Sequence, residues 1–403
     1  MLAVTNARIY TAAGEVINKG TILVENGRFK AVGADIAIPD DAEIIDAKGR
    51  AVTPGLVEAH SHLSVFGLFD MEDMEGPGGG SDKAMLTGGL SPATTPGLDY
   101  YWAFNPRHDS LKTALNSGVT TVLTGPGSGK IISGLNLVAK TAGKTRSDMV
   151  LKYPAGVKMA FGENPKRNFG NRKMMPSTRM GNAALLREAL IKAQNYMKKR
   201  EKAEDEPAST NLHLEPLVKL LKGELVARFH AHRADDIRTI MRIADEFSFE
   251  FTLEHATETH KLLDEVVKRD PACVVGPTYG TRVKVETRDK SFATPGILER
   301  AGVSRIAITT DAPVVPIEHL RTSASLAYVE GMSEEGTLKA ITLGAAEIAG
   351  VADRVGSIEV GKDADFVIMD GPPLEFTTRV EQVFVNGKRE FDLSTHKEDW
   401  EKQ

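Results

Sequence analysis

Ten histidines are spread over 403 residues, and five of them stand where an apolar run ends. His60 and His62 follow the run Ala51–Val57, His230 and His232 follow Leu225–Phe229, and His255 follows Phe251–Leu253. Asp311 stands in the same relation to Arg305–Thr310. Alternate residues of a strand point the same way, so a His-x-His pair aims two imidazoles at one point, as a metal ion requires. One strand-end histidine is more often a hydrogen-bonded structural residue than a ligand. The joint pattern on four separate strands is far harder to reach by accident. A divalent metal held there would lower the pKa of a bound water toward neutrality and polarise a carbonyl. Asp311 is then placed to take a proton from that water and hand it to a leaving nitrogen. His232, if the strand has ended before it, can hydrogen-bond the substrate oxygen. His260 reads as a surface residue of an amphipathic helix, and His108, His213, His319 and His396 read as structural.

Such a set needs a scaffold that brings strand ends together. Between about residues 52 and 350, apolar strands alternate with amphipathic helices: Leu225–Phe229, the helix Ala234–Phe247, Phe251–Leu253, the helix Glu258–Arg269, Cys273–Val275 and Arg305–Thr310. Strands apolar on both faces and alternating with helices predict a parallel α/β barrel or a doubly wound sheet. In a barrel every strand C-terminus opens on one face. The two ends differ from this middle. Leu2–Ile9, Gly20–Glu25 and Arg28–Gly33 near the start, and Ala364–Met369, Val380–Val385 and Lys388–Phe391 near the finish, read as short strands. Asn26-Gly27 and Asn386-Gly387 are hairpin turns between them. Neither end can close a core alone, so both are predicted to build one small β-sandwich, with segments 1–51 and 351–403 flanking a barrel of 52–350. Phe66–Tyr101 is a long irregular insertion of the kind that forms functional lids or disordered segments. The Lys- and Glu-rich run Asn195–Glu206 reads as an exposed helix end and loop.

Composition narrows the functions. A formal net charge of −5 gives no footprint for nucleic acid, and no apolar run is long enough for a bilayer. The first ten residues alternate like a strand and lack the regions of a signal peptide. The single cysteine, Cys273, excludes an internal disulfide framework and suits a reducing compartment, here taken as the cytoplasm. A small-molecule substrate is the expected partner, and assembly into a homo-oligomer is left open.

Pro54-Gly55-Leu56-Val57-Glu58-Ala59-His60-Ser61-His62 resembles the opening Pro-Gly-x-x-Asp-x-His-x-His of the amidohydrolase superfamily, with Glu58 where Asp is usual. Val355–Val367 is similar to that superfamily's return to its β-sandwich, so the resemblance spans essentially the whole chain. Thr120–Ser128, Gly162–Arg167 and His230–Ile237 resemble a branch near the imidazolonepropionases and metal-dependent carboxypeptidases. The resemblance implies a (β/α)8 TIM barrel with a terminal β-sandwich, and His60, His62, His230 and His255 as ligands of one or two divalent ions, zinc first. Asp311 becomes both ligand and general base. Two-metal members carry a bridging carboxylated lysine or a glutamate. Lys158 matches the position of the modified lysine, and Glu163, in the turn that follows, could serve instead. The implied reaction is hydrolysis of a C–N bond in an N-acyl amino acid, a dipeptide or a cyclic amide. A one-metal deaminase or imidazolone-type ring hydrolase is the second reading. A metal-free structural protein on this fold should have lost ligands, and here every expected ligand is present. Lys166, Arg167, Arg179, Arg233, Arg282 and Lys284 lie in loops expected at the barrel mouth. Since arginine binds carboxylates in a bidentate fork, an anionic substrate held by Arg233 and Arg282 is the expectation.

Overall fold

The computed structural model describes residues 1–65, 92–201, 209–280 and 284–396. Most of the insertion Phe66–Tyr101, part of the run Asn195–Glu206 and Arg282 therefore lie outside the described residues. The chain opens with five strands, β1 (Leu2–Ile9), β2 (Ile17–Glu25), β3 (Arg28–Gly33), β4 (Glu43–Asp46) and β5 (Ala51–Pro54). It then runs through eight barrel strands: β6 (Leu56–Ser61), β7 (Val119–Thr124), β8 (Ile132–Lys140), β9 (Val150–Ala160), β10 (Ala227–Ala231), β11 (Phe251–His255), β12 (Ala272–Val275) and β13 (Ile306–Ile308). It closes with β14 (Phe366–Met369), β15 (Val380–Val385) and β16 (Lys388–Asp392).

The terminal strands form one sheet in the order β16-β15-β14-β5-β1-β2-β3, with β4 beside β1. Both Asn-Gly turns adopt positive φ at each residue, +51° and +77° at Asn26-Gly27 and +50° and +70° at Asn386-Gly387. That is the backbone a two-residue hairpin loop needs to match strand twist. The sheet curls onto itself: Phe29 of β3 lies 6.2 Å from Phe366 of β14, whose ring stacks on Phe384 of β15 at 4.3 Å. These rings close a core with Val4, Ile9, Ile22 and Val52. The two hairpin tips also meet, so that a Cβ on Gly27 would stand 3.1 Å from the Asn386 carbonyl oxygen.

The expected single strand Ala51–Val57 is broken in two. Gly55 presses against the next strand so closely that a Cβ there would lie 2.0 Å from Thr120 Oγ1. Up to Pro54 the chain pairs with β1 and β14; from Leu56 it pairs with β7. His60 consequently lies inside a strand, and only His62 lies beyond its end. Three further expectations are corrected. The helix expected over Glu258–Arg269 is a short 3-10 turn, Thr259–Lys261, followed by Leu263–Arg269, the two separated at Leu262 by a non-helical backbone (φ −127°, ψ 29°). The barrel strands are not uniformly parallel, since β8 runs antiparallel to both β7 and β9. Nor are they all apolar on both faces. In-register neighbours Lys158, Arg228 and Thr252, and likewise His230 and Glu254, share the polar side of β9, β10 and β11. Val157, Phe229 and Leu253 pack in the main apolar cluster.

The barrel closes between β6 and β13 through Glu58. Its buried carboxylate accepts the Thr310 N–H at 2.9 Å and hydroxyl at 2.7 Å, and the His60 N–H at 3.1 Å. Burial pushes this carboxyl up, against the pull of those bonds. Barrel and terminal sheet are joined by Lys140 at the end of β8, whose ammonium meets Asp363 at 2.8 Å and Asp365 at 3.0 Å and donates to Asn386. Lys140 is 1% exposed, so removing its charge strands two buried carboxylates. Lys140→Ala is expected to cost about 3–5 kcal/mol, read as a lower denaturant midpoint; an unchanged midpoint would show that water replaces the ammonium. Among the described residues no helix is long and apolar enough to cross a membrane.

Candidate metal centre

Four strand ends converge on one buried locus. β6 supplies His60 and the chain just beyond it His62; their rings are perpendicular with centroids 5.2 Å apart. β10 supplies His230 and, one residue past its end, His232, at 4.8 Å. β11 ends in His255 and the chain after β13 turns at Asp311. Both take positive φ, +73° and +54°, which is unusual for residues with a Cβ and concentrates at functional sites. Two trios result, His60–His62–Asp311 and His230–His232–His255, each with its candidate ligand atoms within 4.8 Å of one another. His255 links them, 5.1 Å from His60 and 4.3 Å from His230 between ring centroids. Asp311 Oδ1 lies 3.2 Å from the Nε2 atoms of both His60 and His62. Lys158 is fully buried, and its Nζ lies 3.2 Å from His60 Nε2.

The electrostatics suit cation binding. Burial holds His62, His230 and His255 below the ordinary imidazole value and brings His232 down to about 4, so these rings are neutral and can donate lone pairs. Burial and Lys158 act the same way on His60, but Glu254 and Asp311 outweigh them and raise it. Burial opposes ionisation of Asp311, yet the surrounding histidines hold its carboxyl well below the ordinary range. Lys158 is pulled down chiefly by burial. Several atoms facing this locus are buried without a hydrogen-bond partner, among them His230 Nδ1, His255 Nε2 and Asp311 Oδ1. Unpaired buried polar atoms are costly, and divalent ions held at the two trios would offset that cost. The outer nitrogens are already engaged: His62 Nδ1 pairs with the Gly125 carbonyl at 2.8 Å and His255 Nδ1 with that of Gly276 at 2.7 Å. That is the support which turns Nε2 toward a metal. The residues present fit one or two divalent cations.

The locus thus unites His60, His62, Lys158, His230, His255 and Asp311, and adds His232 to the second trio. Glu163 is not part of it. It opens the helix Glu163–Gly170 and contributes its backbone N–H, while its carboxylate makes no hydrogen bond or ion pair among the described residues. Arg233 is not brought to the clusters either. Its guanidinium grips Asp235 at 2.8 and 2.9 Å on a 42%-exposed side chain. Arg179 is held by Asp236.

Three charged residues went unread in the sequence. Glu254 contacts His60 Nδ1 and lies 3.5 Å from Arg228, orienting the first imidazole from inside the barrel. Its place immediately before His255 was the available signal. Glu286 reaches the second trio from the loop after β12, with no local signal at all. Lys130, 3% exposed, donates to Thr95 Oγ1 at 3.1 Å and forms no ion pair among the described residues. Burial brings its ammonium down to about 8. Its loop begins at Gly125, beside His62, and passes Ser128, to which Asn164 bonds while also lying 3.4 Å from His230 Nε2.

The model of the Amidohydrolase family matches residues 51–389. An amidohydrolase of Thermotoga maritima superimposes with a TM-score of 0.91 at 39% identity, covering 97% of this chain and all of that one. The amidohydrolase tasK of Hapsidospora irregularis is 27% identical over 93% of this chain, which spans only 40% of that protein's length. An imidazolonepropionase of Rhizobium rhizogenes is 27% identical, with 93% of each chain covered.

Proposed function

Because this chain belongs to the amidohydrolase family and is an enzyme acting on carbon–nitrogen bonds, we propose that it hydrolyses a C–N bond of a small anionic substrate at a two-metal centre. His60, His62 and Asp311 would hold one zinc ion, His230 and His255 a second, and Lys158, as its carboxylated form, would lie between them. The carrying observation is the amine of Lys158, fully buried 3.2 Å from His60 Nε2 and near enough for its charge to act on both His62 and His230. An unprotonated lysine amine is the form that adds carbon dioxide, and burial favours that form. Neither a one-metal deaminase nor a one-metal imidazolone-type ring hydrolase needs a bridging lysine there. Bound zinc supplies Lewis acidity, bringing a water toward ionisation and polarising the scissile carbonyl. Asp311 accepts the proton of the attacking water and returns it to the leaving nitrogen. His232 Nδ1 pairs with Thr257 Oγ1 at 2.8 Å; with the hydroxyl as donor, the ring would carry its proton on Nε2 and donate it to the carbonyl oxygen. Lys130 takes the place expected for Arg233 as the cation that meets a substrate carboxylate.

Purified protein is expected to carry about one to two zinc-like ions per chain and to lose hydrolysis on chelation, recovering it with zinc. It should prefer N-acyl amino acids and dipeptides with a free carboxylate over their C-terminal amides by about tenfold or more. Metal-free protein from metal-rich growth would sink the metal centre. Equal kcat/KM for acid and amide would remove the anionic substrate alone.

A further inference from the structure

Glu286 lies beside the second trio and has no part in the chemistry above. It is 2% exposed. Its Oε2 accepts the Glu163 N–H at 2.8 Å and lies 3.7 Å from Arg179 Nη2. Its Oε1 has no hydrogen-bond partner among the described residues and lies 4.0 Å from His230 Nε2 and 3.9 Å from His232 Nε2. The backbone is shaped around it. Gly162 takes φ +94°, and a Cβ there would stand 2.7 Å from Glu286 Oε2.

The charges do not balance. Arg179 is engaged by Asp236 at 2.9 and 3.1 Å, so one guanidinium serves two buried carboxylates. Lys284, on the same loop, acts on His230 and His232 but forms no ion pair with Glu286 among the described residues. A buried carboxylate oxygen without a donor, its carboxylate sharing one guanidinium with Asp236, is costly, and here it faces the place where the substrate must sit. A cation brought by the ligand would complete it.

The spacings choose the kind of cation. One ion at about 2.1 Å from both His232 Nε2 and Glu286 Oε1 would have to open an angle of roughly 135° across their 3.9 Å separation, well beyond that of a tetrahedral site. A hydrogen-bonding nitrogen at about 2.8 Å from Oε1 fits beside the imidazole. We propose that Glu286 Oε1 receives the protonated α-amino group of an aminoacyl substrate whose scissile carbonyl is held at His232. That amino nitrogen is three bonds from the carbonyl oxygen, so one short N–Cα–C–O unit engages both side chains. This deepens the proposed function and rests on it for the position of the carbonyl. The substrate class narrows to dipeptides with a free amino group and a free carboxylate, in preference to N-acylated ones.

The test uses the metal-loaded full chain and two probes with the same metal-binding head, leucine hydroxamate and its des-amino counterpart, 4-methylpentanohydroxamate. In the wild type the amine-bearing probe is expected to bind about ten- to hundredfold tighter. In Glu286→Gln, which keeps an acceptor for the Glu163 N–H, that ratio should fall to near one with the metal content unchanged. Equal affinities in the wild type, or a ratio that survives the substitution, overturn the proposal. Loss of an ion from Glu286→Gln also overturns it, by making Glu286 a ligand. Binding of neither probe would show that the metal centre itself had been misread, and this proposal would fall with it.

Discussion

Asp311→Asn is expected to lower turnover by about 10²–10⁴-fold, the range that a positioned acid–base group contributes, while leaving the fold intact. Asparagine keeps the size of the side chain and an oxygen toward His60 and His62, both 3.2 Å from Oδ1. It cannot take up a proton at neutral pH. The loss should therefore fall on kcat, with much of the metal retained, because His60 and His62 remain. Measuring kcat and bound metal on the same preparation separates the roles. A variant with near-wild-type kcat would move the base to another residue, and one that loses all metal would show Asp311 acting chiefly as a ligand.

Lys158→Met should have a comparable effect by another route. Methionine matches the length of the lysine stem but cannot carry a carboxylate between the two trios. The metal content is expected to fall by about one ion per chain, and turnover by at least about 10²-fold, as when one strong electrostatic contact to a transition state is removed. Stability should hold or rise, since an amine with no exposed surface is exchanged for an apolar group of similar volume. Unchanged metal stoichiometry with unchanged turnover would return the lysine to a packing role. A drop in the unfolding midpoint would show that its contacts with His60 and Glu254, at 3.2 and 3.9 Å, hold the barrel together.

The residues of the centre were legible because imidazole is scarce and its placement follows strand periodicity. His-x-His at two strand ends, His255 and Asp311 are local patterns that need no tertiary information. The terminal strands were legible through Asn-Gly turns whose backbone requirement is specific. The rest depended on contacts far apart in the chain. Glu286 is one of 55 acidic residues, and only its burial against His230 and His232 sets it apart. Arg233 looked free in the sequence, yet Asp235 in the first turn of the following helix captures it at 2.8 Å. The strand breaks at Gly55, where only a residue without a Cβ fits against Thr120, 65 positions away. The reversed direction of β8 left no mark, because a buried antiparallel strand carries the same apolar residues as a parallel one.

The terminal sheet also imposes an order on synthesis. β5 pairs with β14 in a register that sets Pro54 against Phe366, so β5 waits for a partner made 312 residues later. At about 5–20 residues per second that interval is roughly 15–60 s. Throughout it, Val52 and the Phe29 face lack the rings of Phe366 and Phe384 that cover them in the finished sheet. The nascent chain thus carries an open strand edge during translation of the entire barrel, the period in which a chaperone, or a neighbouring copy on the same message, competes for it.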